Sequence, residues 1–537
     1  MLLILGVRLY YYTGPVFANT QDEGIYLTTF AMHTVFSNPL GFSQYRGADF
    51  GSTTNGLFNP AQIFQFYVGF EYPILFLMKL LGYSAALAIG YVMFTSLIEG
   101  LFLFLIIERL AGIRAGLLGG ILFAFTPVDV LFATHVQPLV PAMMAVTIAV
   151  YLFIRAAGGA TAGKARLLLL SGFFIGIAYI TNPVGLLPGI FLGAAAITMP
   201  VWAREGHSAR AMGALALLAG FIIAYSLIGA VYLAEAGNFL LFPMADHSMF
   251  AYEMANQPLA RYCVTGSLCL QWAVGSPTFY LRLLANMKVF SNPYLTYFGY
   301  SFFAFVALSL AYLLYFRRRA AARKALFFML MFLFYLLALS YLPVLASNSG
   351  GTITLSMIDE QPYLSTLLVL PMTVVLALVM ESAIVAFRGR RPALFAVSAI
   401  ILLLVAESVM VLNSDAGVYR ASASTLRAFT AYVAANPDTS FYAEWQFSNA
   451  ANLLTAYRYS IRQSGCSKAV IAALPPGSDI VTGGTISMDI SPDLIESYDS
   501  CALGNMSGYS SVFYIRNALA NYSGARWAPP LVIYTKR

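Results

Sequence analysis

Long apolar runs joined by short polar connections dominate the chain. Strands of a membrane barrel would alternate in hydropathy, whereas continuous runs close to ~20 residues are long enough to cross a bilayer as helices. The ten runs after a short apolar opening segment, residues 1–12, are 85–107, 115–132, 138–154, 167–181, 183–201, 211–233, 297–316, 325–345, 363–385 and 393–411. Together with the opening segment, the pattern predicts an all-α polytopic membrane protein of about 11 spans.

The opening segment does not match a full span, because residues 1–12 contain too few apolar residues and include Arg8. Either the chain begins inside a longer sequence, or the first helix is short and tilted. A cleaved signal peptide is the remaining alternative, although no small-residue cleavage site precedes Asp22.

Composition agrees with the hydropathy pattern. Hydrophobic residues make up 60% of the chain, charged residues 10%, and the mean hydropathy is +0.75. A soluble globular protein has roughly 25% charged residues. The chain is therefore predicted to lie in a membrane.

The basic residues predict the orientation. Of the 30 Lys and Arg, 15 fall in loops on one side of the predicted bundle, which is cytoplasmic by the positive-inside rule. The net charge of +7 therefore reflects topology, and nucleic-acid binding is not indicated. We expect an integral multi-pass protein of the plasma membrane or its ER equivalent, with the first outer loop at 13–72 and a second large one at 234–296.

The cysteines fall on the outer side in this topology, as do two glycosylation sequons, at Asn505 and Asn521. An oxidising compartment favours disulfides, yet the sequence leaves open which of three pairings forms. Four buried free thiols are the alternative, since Cys is often a core residue. The four are Cys263, Cys269, Cys466 and Cys501.

The chain changes character near residue 413, where Asp, Ser, Asn and Tyr become more frequent. Residues 470–473 and 479–481 resemble short strands. We therefore predict a membrane domain at 1–412, with amphipathic helices in the first outer loop, and a small extracytoplasmic α/β domain at 413–537, about the size of one fold.

The pair Asp22-Glu23 lies shortly after the opening segment. Carboxylates kept beside the hydrocarbon slab are costly to desolvate and are candidates for function. Acidic residues also favour helix N-termini, so a simple cap on a helix from Gly24 onward is the alternative.

Several short motifs occur in a specific order. They are Asp22-Glu23 with Tyr26, Glu71-Tyr72-Pro73-Ile74-Leu75, Thr126-Pro127 through His135-Val136-Gln137-Pro138, and a Gly-rich segment from Gly172 that ends in Thr181-Asn182-Pro183. With these motifs in this order, the chain resembles the GT-C membrane glycosyltransferases, in particular the protein mannosyltransferase and aminoarabinose transferase branch. The resemblance covers roughly the first two hundred residues, and extends to the later helices only by layout.

The chain departs from the family pattern at three positions. Tyr72 stands where relatives often have a second Pro, and Gln137 stands where they have an Asp. Gln361-Pro362-Tyr363 replaces an Arg-Tyr before a late helix. The last two departures concern donor and acceptor binding and leave the carboxylate pair unaffected.

The resemblance implies an inverting transfer of a sugar from a polyprenyl-phosphate donor to a protein, lipid or glycan acceptor outside the cytoplasm. Such a displacement needs a base for the acceptor proton. Asp22 is the candidate base, and Glu23 positions it or contacts the acceptor.

Other residues are candidates for binding the substrates. Cations stabilise the charge that develops on a leaving phosphate, although contact with solvent or lipid headgroups is the alternative for each cation alone. His135 could also simply cap a helix end. The substrate-binding candidates are Arg46, Tyr72, His135, Gln137, Arg261, Arg282, Lys288, Gln361 and Tyr363.

A divalent metal ion is a further candidate partner. Glu71 and His247, with Asp246 nearby in sequence, could supply hard ligands, and some relatives use such a Glu and His. No HxxxH or CxxC spacing supports the site, and a lone His is more often structural.

Other classes find less support in the sequence. It contains no Walker A, Rossmann or nucleophile-elbow motif, and it lacks the Trp-Trp-Asp signature of oligosaccharyltransferases. Two alternatives remain: a transporter or flippase for a lipid-linked sugar, and a non-catalytic envelope scaffold.

Overall fold

A helical bundle followed by a small C-terminal sheet forms the structure, a computed structural model. The residues that it describes are 1–12, 26–27, 30–31, 34, 68–158, 163–198, 207–236, 301–316, 320–341, 366–386, 391–443, 454–455, 458–463, 474–482, 509–515 and 531–536. The helices are α1 Leu2–Tyr11, α2 Val68–Leu81, α3 Ala85–Ala111, α4 Ile113–Ala124, α5 Pro127–Ala133, α6 Leu139–Gly158, α7 Lys164–Thr181, α8 Leu186–Thr198, α9 His207–Ala236, α10 Ser301–Phe316, α11 Ala320–Tyr341, α12 Val369–Ala386 and α13 Arg391–Ala435. The predicted helical membrane fold is confirmed.

Within these ranges, 6 helices are long and apolar enough to cross a membrane, or 7 if the bent pair α4–α5 is one span. Shorter apolar helices include α1 and α8, and parts of α10 and α11. The number of eleven spans stays a prediction. α1 has 10 residues and is about 15 Å long at ~1.5 Å per residue.

The run 115–132, expected to be one continuous span, is broken into α4 and α5. The two helices meet at an angle of 61°. Pro127 is the first residue of α5, a position that tolerates its missing N–H, whereas Pro within a continuing helix removes a backbone hydrogen bond. The run 183–201 also differs from its expected form, because it begins with a 3-10 turn, Pro183–Gly185, before α8.

Close helix packing by glycine holds α7 against α9. A β-carbon added to Gly172 would lie 1.9 Å from the Leu217 carbonyl oxygen, and one added to Gly220 would lie 1.9 Å from that of Leu169. Small residues allow membrane helices to approach this closely, where van der Waals contact drives association. The Gly-rich segment therefore has a packing role.

Glu71, Tyr72 and Pro73 lie inside α2, although the sequence places them at the end of a loop. Within the first loop, five described residues, Tyr26, Leu27, Phe30, Ala31 and Thr34, are helical. The four apolar ones are buried, and their spacing is that of one helical face. At these positions the expected amphipathic helix is confirmed.

α13 is a 45-residue helix that continues past residue 413, where the sequence predicted a domain boundary. Its last turns pack on a five-stranded sheet with strands β1 Phe441–Ala443, β2 Ile461–Gln463, β3 Asp479–Thr482, β4 Tyr509–Ile515 and β5 Leu531–Lys536. The strand order is β2-β1-β3-β5-β4. β1 pairs in parallel with β2 and β3, and β5 pairs antiparallel with β3 and β4.

The core between α13 and the sheet is apolar. Leu426, Phe429 and Val433 of α13 cluster with Phe441, Ile461, Val481 and Ile533. The helix therefore belongs to the membrane bundle at its start and to the C-terminal sheet at its end. Of the two predicted strands, 479–481 is confirmed, and 470–473 lies outside the described residues.

Candidate functional site

The start of α2 packs against the end of α7. A β-carbon on Gly69 would lie 2.4 Å from Thr181 Oγ1, so the two backbones touch there. The 3-10 turn after α7 also contacts α6, and Asn182 Oδ1 accepts a hydrogen bond of 3.1 Å from the Val184 amide in that turn. Two of the sequence motifs, those of Glu71 and of Thr181-Asn182-Pro183, thus meet, and the turn within the second contacts the helix that follows the His135 motif.

Glu71 lies in this region as a buried carboxylate. The residue is 0% exposed, and neither oxygen has a hydrogen-bond partner within the described ranges. An unpaired carboxylate is costly to bury, so a proton or a cation is needed to balance it. Tyr72 beside it is half-buried.

The segment after Asp22-Glu23 reaches the same helix. The Tyr26 ring lies edge-on to the Phe70 ring with centroids 5.2 Å apart, and the Phe30 ring lies 6.3 Å from it. Phe70 is the immediate neighbour of Glu71 in sequence. The described residues just after the carboxylate pair are therefore packed against α2 at Phe70.

His135 and Gln137 lie between α5 and α6, and both are buried. The imidazole Nδ1 is 2.6 Å from the Leu131 carbonyl oxygen, and Thr134 Oγ1 donates to the same carbonyl at 2.8 Å. Because a carbonyl only accepts, His135 carries its proton on Nδ1, and Nε2 of the neutral ring is the acceptor. Burial lowers the pKa of His135, while the hydrogen bond to the Leu131 carbonyl acts the other way.

A second buried polar cluster was missed in the sequence. Arg8 of α1 forms an ion pair with Asp129 of α5, and it donates to Ser96 Oγ of α3 at 2.9 Å. Ser96 Oγ also donates to Asp129 Oδ2 at 2.9 Å. The sequence contained a signal for this pair, because charged residues inside apolar segments usually pair with one another. Arg8 and Asp129 each lie inside an apolar segment.

Several predicted site residues lie outside the described residues. They are Asp22, Glu23, Arg46, His247, Arg261, Arg282, Lys288, Gln361 and Tyr363, and the four cysteines lie there as well. Of the predicted set, the structure brings Glu71 and Tyr72 to the α2–α7 contact, and it places His135 and Gln137 before α6.

Among the described residues, no group of three or more His, Cys, Asp or Glu side chains is arranged to hold a metal ion. Glu71 has suitable chemistry for a ligand, because neither of its buried oxygens has a donor among the described residues and carboxylate oxygens suit hard cations. Its predicted partner His247 is not among the described residues.

The chain is similar to solved structures and to one protein family, whereas no curated protein matches it. Three similar solved structures are ArnT from Cupriavidus metallidurans bound to undecaprenyl phosphate, the oligosaccharyltransferase AglB from Archaeoglobus fulgidus with an inhibitory peptide and a dolichol-phosphate, and an Archaeoglobus fulgidus oligosaccharyltransferase in complex with Zn and sulfate. Their identities are 15%, 12% and 13%, with TM-scores of 0.46, 0.49 and 0.47. The matches cover 99%, 96% and 96% of this chain and 97%, 72% and 71% of the respective structures.

A family model matches one part of the chain, residues 68–228, and its description is Dolichyl-phosphate-mannose-protein mannosyltransferase. This part contains the Glu71 motif, the His135 motif and the Gly-rich segment. The GT-C resemblance that these motifs indicate is thereby confirmed, with residues 68–228 as the part of the chain that matches the mannosyltransferase family.

Proposed function

We propose that the protein is a membrane glycosyltransferase that moves a sugar from a polyprenyl-phosphate donor to an acceptor. The observation that carries this proposal is the mannosyltransferase family match over 68–228. The matched part holds Glu71, Tyr72, His135 and Gln137, and two of its motifs meet where α2 packs against α7. The family description supplies the donor class.

The proposed reaction is a single inverting displacement. The acceptor oxygen attacks the anomeric carbon of the sugar as the bond from that carbon to the phosphate oxygen breaks, and the polyprenyl phosphate leaves. Asp22 takes the acceptor proton as general base. Adjacent residues do not share a helix face, so Glu23 is assigned to hold Asp22 or to contact the acceptor. The packing of Tyr26 on Phe70 supports a place for this segment beside α2.

In this proposal, the cationic and the neutral side chains bind different parts of the substrates. Arg46, Arg261, Arg282 and Lys288 offset the charge on the leaving phosphate. The neutral side chains Tyr72, His135, Gln137, Gln361 and Tyr363 contact the sugar or the acceptor. For His135, the Nδ1 hydrogen bond to the Leu131 carbonyl supports a fixed ring with Nε2 as acceptor for a sugar hydroxyl.

The proposed site faces away from the cytoplasm. The charge bias of the loops supports this side, because the basic ends Arg109 and Arg155 lie at the opposite ends of α3 and α6 from Ser84 and Gln137. In this arrangement the C-terminal sheet is extracytoplasmic, in a plasma membrane or its ER equivalent. The acceptor is a protein, lipid or glycan.

A divalent metal ion, held by Glu71 and His247, is part of the proposal. When bound, it supplies positive charge near the leaving phosphate. Glu71 itself contributes a buried carboxylate with both oxygens available as ligands.

The experiment is turnover by purified protein in lipid nanodiscs, with a panel of radiolabelled prenyl-phospho-sugars and candidate acceptors. We expect one donor to support transfer, and we expect Asp22→Asn to reduce kcat by about 10²–10⁴-fold with donor binding retained. Tyr514→Phe, an exposed residue of β4, is the matched control. No transfer with any donor, or full activity of Asp22→Asn, would contradict the proposal.

A specific observation favours a second candidate, a flippase for a lipid-linked sugar. α4–α5 is a broken span that carries a buried ion pair, and discontinuous helices with polar groups are common in transporters. Proteoliposomes with a fluorescent lipid-linked sugar separate the two functions. Movement of the lipid between leaflets without any transfer would support the flippase.

A further inference from the structure

Arg8 makes an unusually complete set of contacts for a charged residue inside a membrane bundle. The guanidinium is 0% exposed. Besides its ion pair with Asp129, it donates to Ser96 Oγ at 2.9 Å, to the Ala124 carbonyl at 3.1 Å and to the Ile4 carbonyl at 3.4 Å. It also lies 5.0 Å from the Phe123 ring centroid. One side chain of α1 is thus bonded to α3, α4 and α5.

The break between α4 and α5 explains where these partners come from. The last four carbonyl groups of a helix lack partners within it, and Ala124 is the last residue of α4. The guanidinium satisfies that carbonyl and at the same time pairs with Asp129 in the first turn of α5. Arg8 therefore bridges the two sides of the 61° bend.

α5 is short, so loss of the contacts that Arg8 makes across the bend would allow the helix to change its orientation. The helix has 7 residues, and its last turn holds the loop that follows, through the contacts of Thr134 and His135 with the Leu131 carbonyl. A tilt of α5 would carry the His135 imidazole with it.

The charge of the cluster is also unusual. Glu99 of α3 is buried one turn from Ser96, and it interacts electrostatically with both Asp129 and Arg8. Two carboxylates therefore share one guanidinium. Such a buried set is rarely the most stable solution, because well-packed apolar residues often replace a buried ion pair without loss of stability. A role other than stability is therefore expected.

We propose that Arg8 and Asp129 are positioning residues for glycosyl transfer: their ion pair fixes α5 at the bend, and thereby sets the place of His135. This inference rests on the proposed function. The pair touches neither substrate, and it acts through α5. Displacements near 1 Å from substitutions far from the chemistry can cost about 10²-fold in rate.

The decisive variant is the double substitution Arg8→Met/Asp129→Leu, made in a Glu99→Gln parent so that no buried carboxylate loses its guanidinium. Each single change leaves one buried charge without its partner and lowers the thermal midpoint strongly. The double variant removes both charges and recovers the midpoint. If the pair positions α5, kcat/KM of the double variant stays about 100-fold below the parent. If the pair is only structural, kcat/KM recovers with the midpoint, and the proposal is overturned.

Two further variants keep the test valid if the double variant does not fold. Ser96→Ala removes one partner of both Arg8 and Asp129 without leaving a buried charge alone, so we expect a much smaller fall in the midpoint than in the single charge variants, and a several-fold lower kcat/KM. An unchanged kcat/KM would overturn the proposal. Arg109→Met, an exposed change near the end of α3, is the control and should alter neither quantity.

A measurement that needs no turnover separates this inference from the proposed function. Hydrogen–deuterium exchange should become faster across residues 127–138 in the double variant, or in Ser96→Ala if the double variant does not fold, and remain unchanged across 139–158. Unchanged exchange across 127–138 would overturn the positioning role. If the parent transfers no sugar from any donor, the proposed function fails, and the exchange data still decide whether the pair fixes α5.

Discussion

The contact between α7 and α9 makes a sharp prediction about Gly172. Helix packing in a membrane depends on close van der Waals contact, and small residues at the interface allow it. Gly172 lies directly against the backbone of Leu217, and Gly220 lies in the same way against Leu169. Replacement of Gly172 by Ala should therefore destabilise the bundle, even though Ala is the better helix former.

The magnitude follows from the distances. A β-carbon on Gly172 would lie 1.9 Å from the Leu217 carbonyl oxygen and 2.9 Å from its Cα. Contact normally occurs at roughly 3.5 Å, so the helices would have to separate by about 1.6 Å. The obstacle is backbone, which has no rotamer to move away. Overpacking of this kind costs typically about 1–3 kcal/mol, which exceeds the gain of about 1 kcal/mol from Gly to Ala in a helix.

The assay is thermal unfolding of the purified protein in detergent, followed by intrinsic fluorescence. Gly172→Ala should lower the midpoint, and Gly220→Ala should lower it similarly because the contact is reciprocal. The matched control is Gly90→Ala on α3, where an added β-carbon meets nothing within 4 Å, and its midpoint should stay the same or rise. Equal midpoints for Gly172→Ala and Gly90→Ala would refute the close approach of α7 and α9.

Three further predictions concern the C-terminal sheet and Glu71. Burial raises the pKa of Asp479, and the hydrogen bond from Thr535 opposes this shift. The folded state therefore holds the proton more tightly than the unfolded state does. As a result, the free energy of unfolding falls as pH rises from the ordinary pKa of 3.8 through the folded pKa. Chemical unfolding across pH should show a weaker fall of this kind in Asp479→Asn, and an identical pH profile would contradict the assignment. Phe429→Ala should cost about 3–5 kcal/mol in the sheet domain and increase its proteolysis, whereas exposed Tyr514→Ala should not; equal proteolysis would argue against the helix–sheet core. Glu71→Gln should abolish any dependence of turnover on divalent ions, and a parent enzyme indifferent to chelator would remove the metal from the proposal.

The bend between α4 and α5 could not be predicted from the sequence. The hydropathy of residues 115–132 is continuous, so the pattern predicts one span and contains no sign of the angle. Thr126-Pro127 marks a place where a helix can end, but Pro also occurs in unbroken membrane helices. The partners that satisfy the bend, Arg8 and Ser96, are distant in sequence, and only the folded chain brings them to Ala124 and Asp129.

The long helix α13 gives the same lesson at a domain boundary. Composition changes near residue 413, since the chain leaves the apolar bundle there, and the sequence places a boundary at that point. The helical backbone hydrogen bonds do not depend on that change in composition, and α13 extends to Ala435. Tyr11 and Asn413 then join α1 to α13 through a 3.3 Å hydrogen bond, a contact between residues that are 402 positions apart in the sequence.

The sequence by itself determined the membrane class, the helical fold, the family resemblance and the positions of most helices, because hydropathy and short motifs are local properties of the chain. The tertiary structure decided which polar side chains are partners. Arg8 finds Asp129, Gly69 meets Thr181, and Glu71 is left buried without a donor within the described ranges. Hydrophobicity places residues in the membrane without regard to direction or partner, whereas ion pairs and hydrogen bonds depend on distances that exist only once the helices have packed.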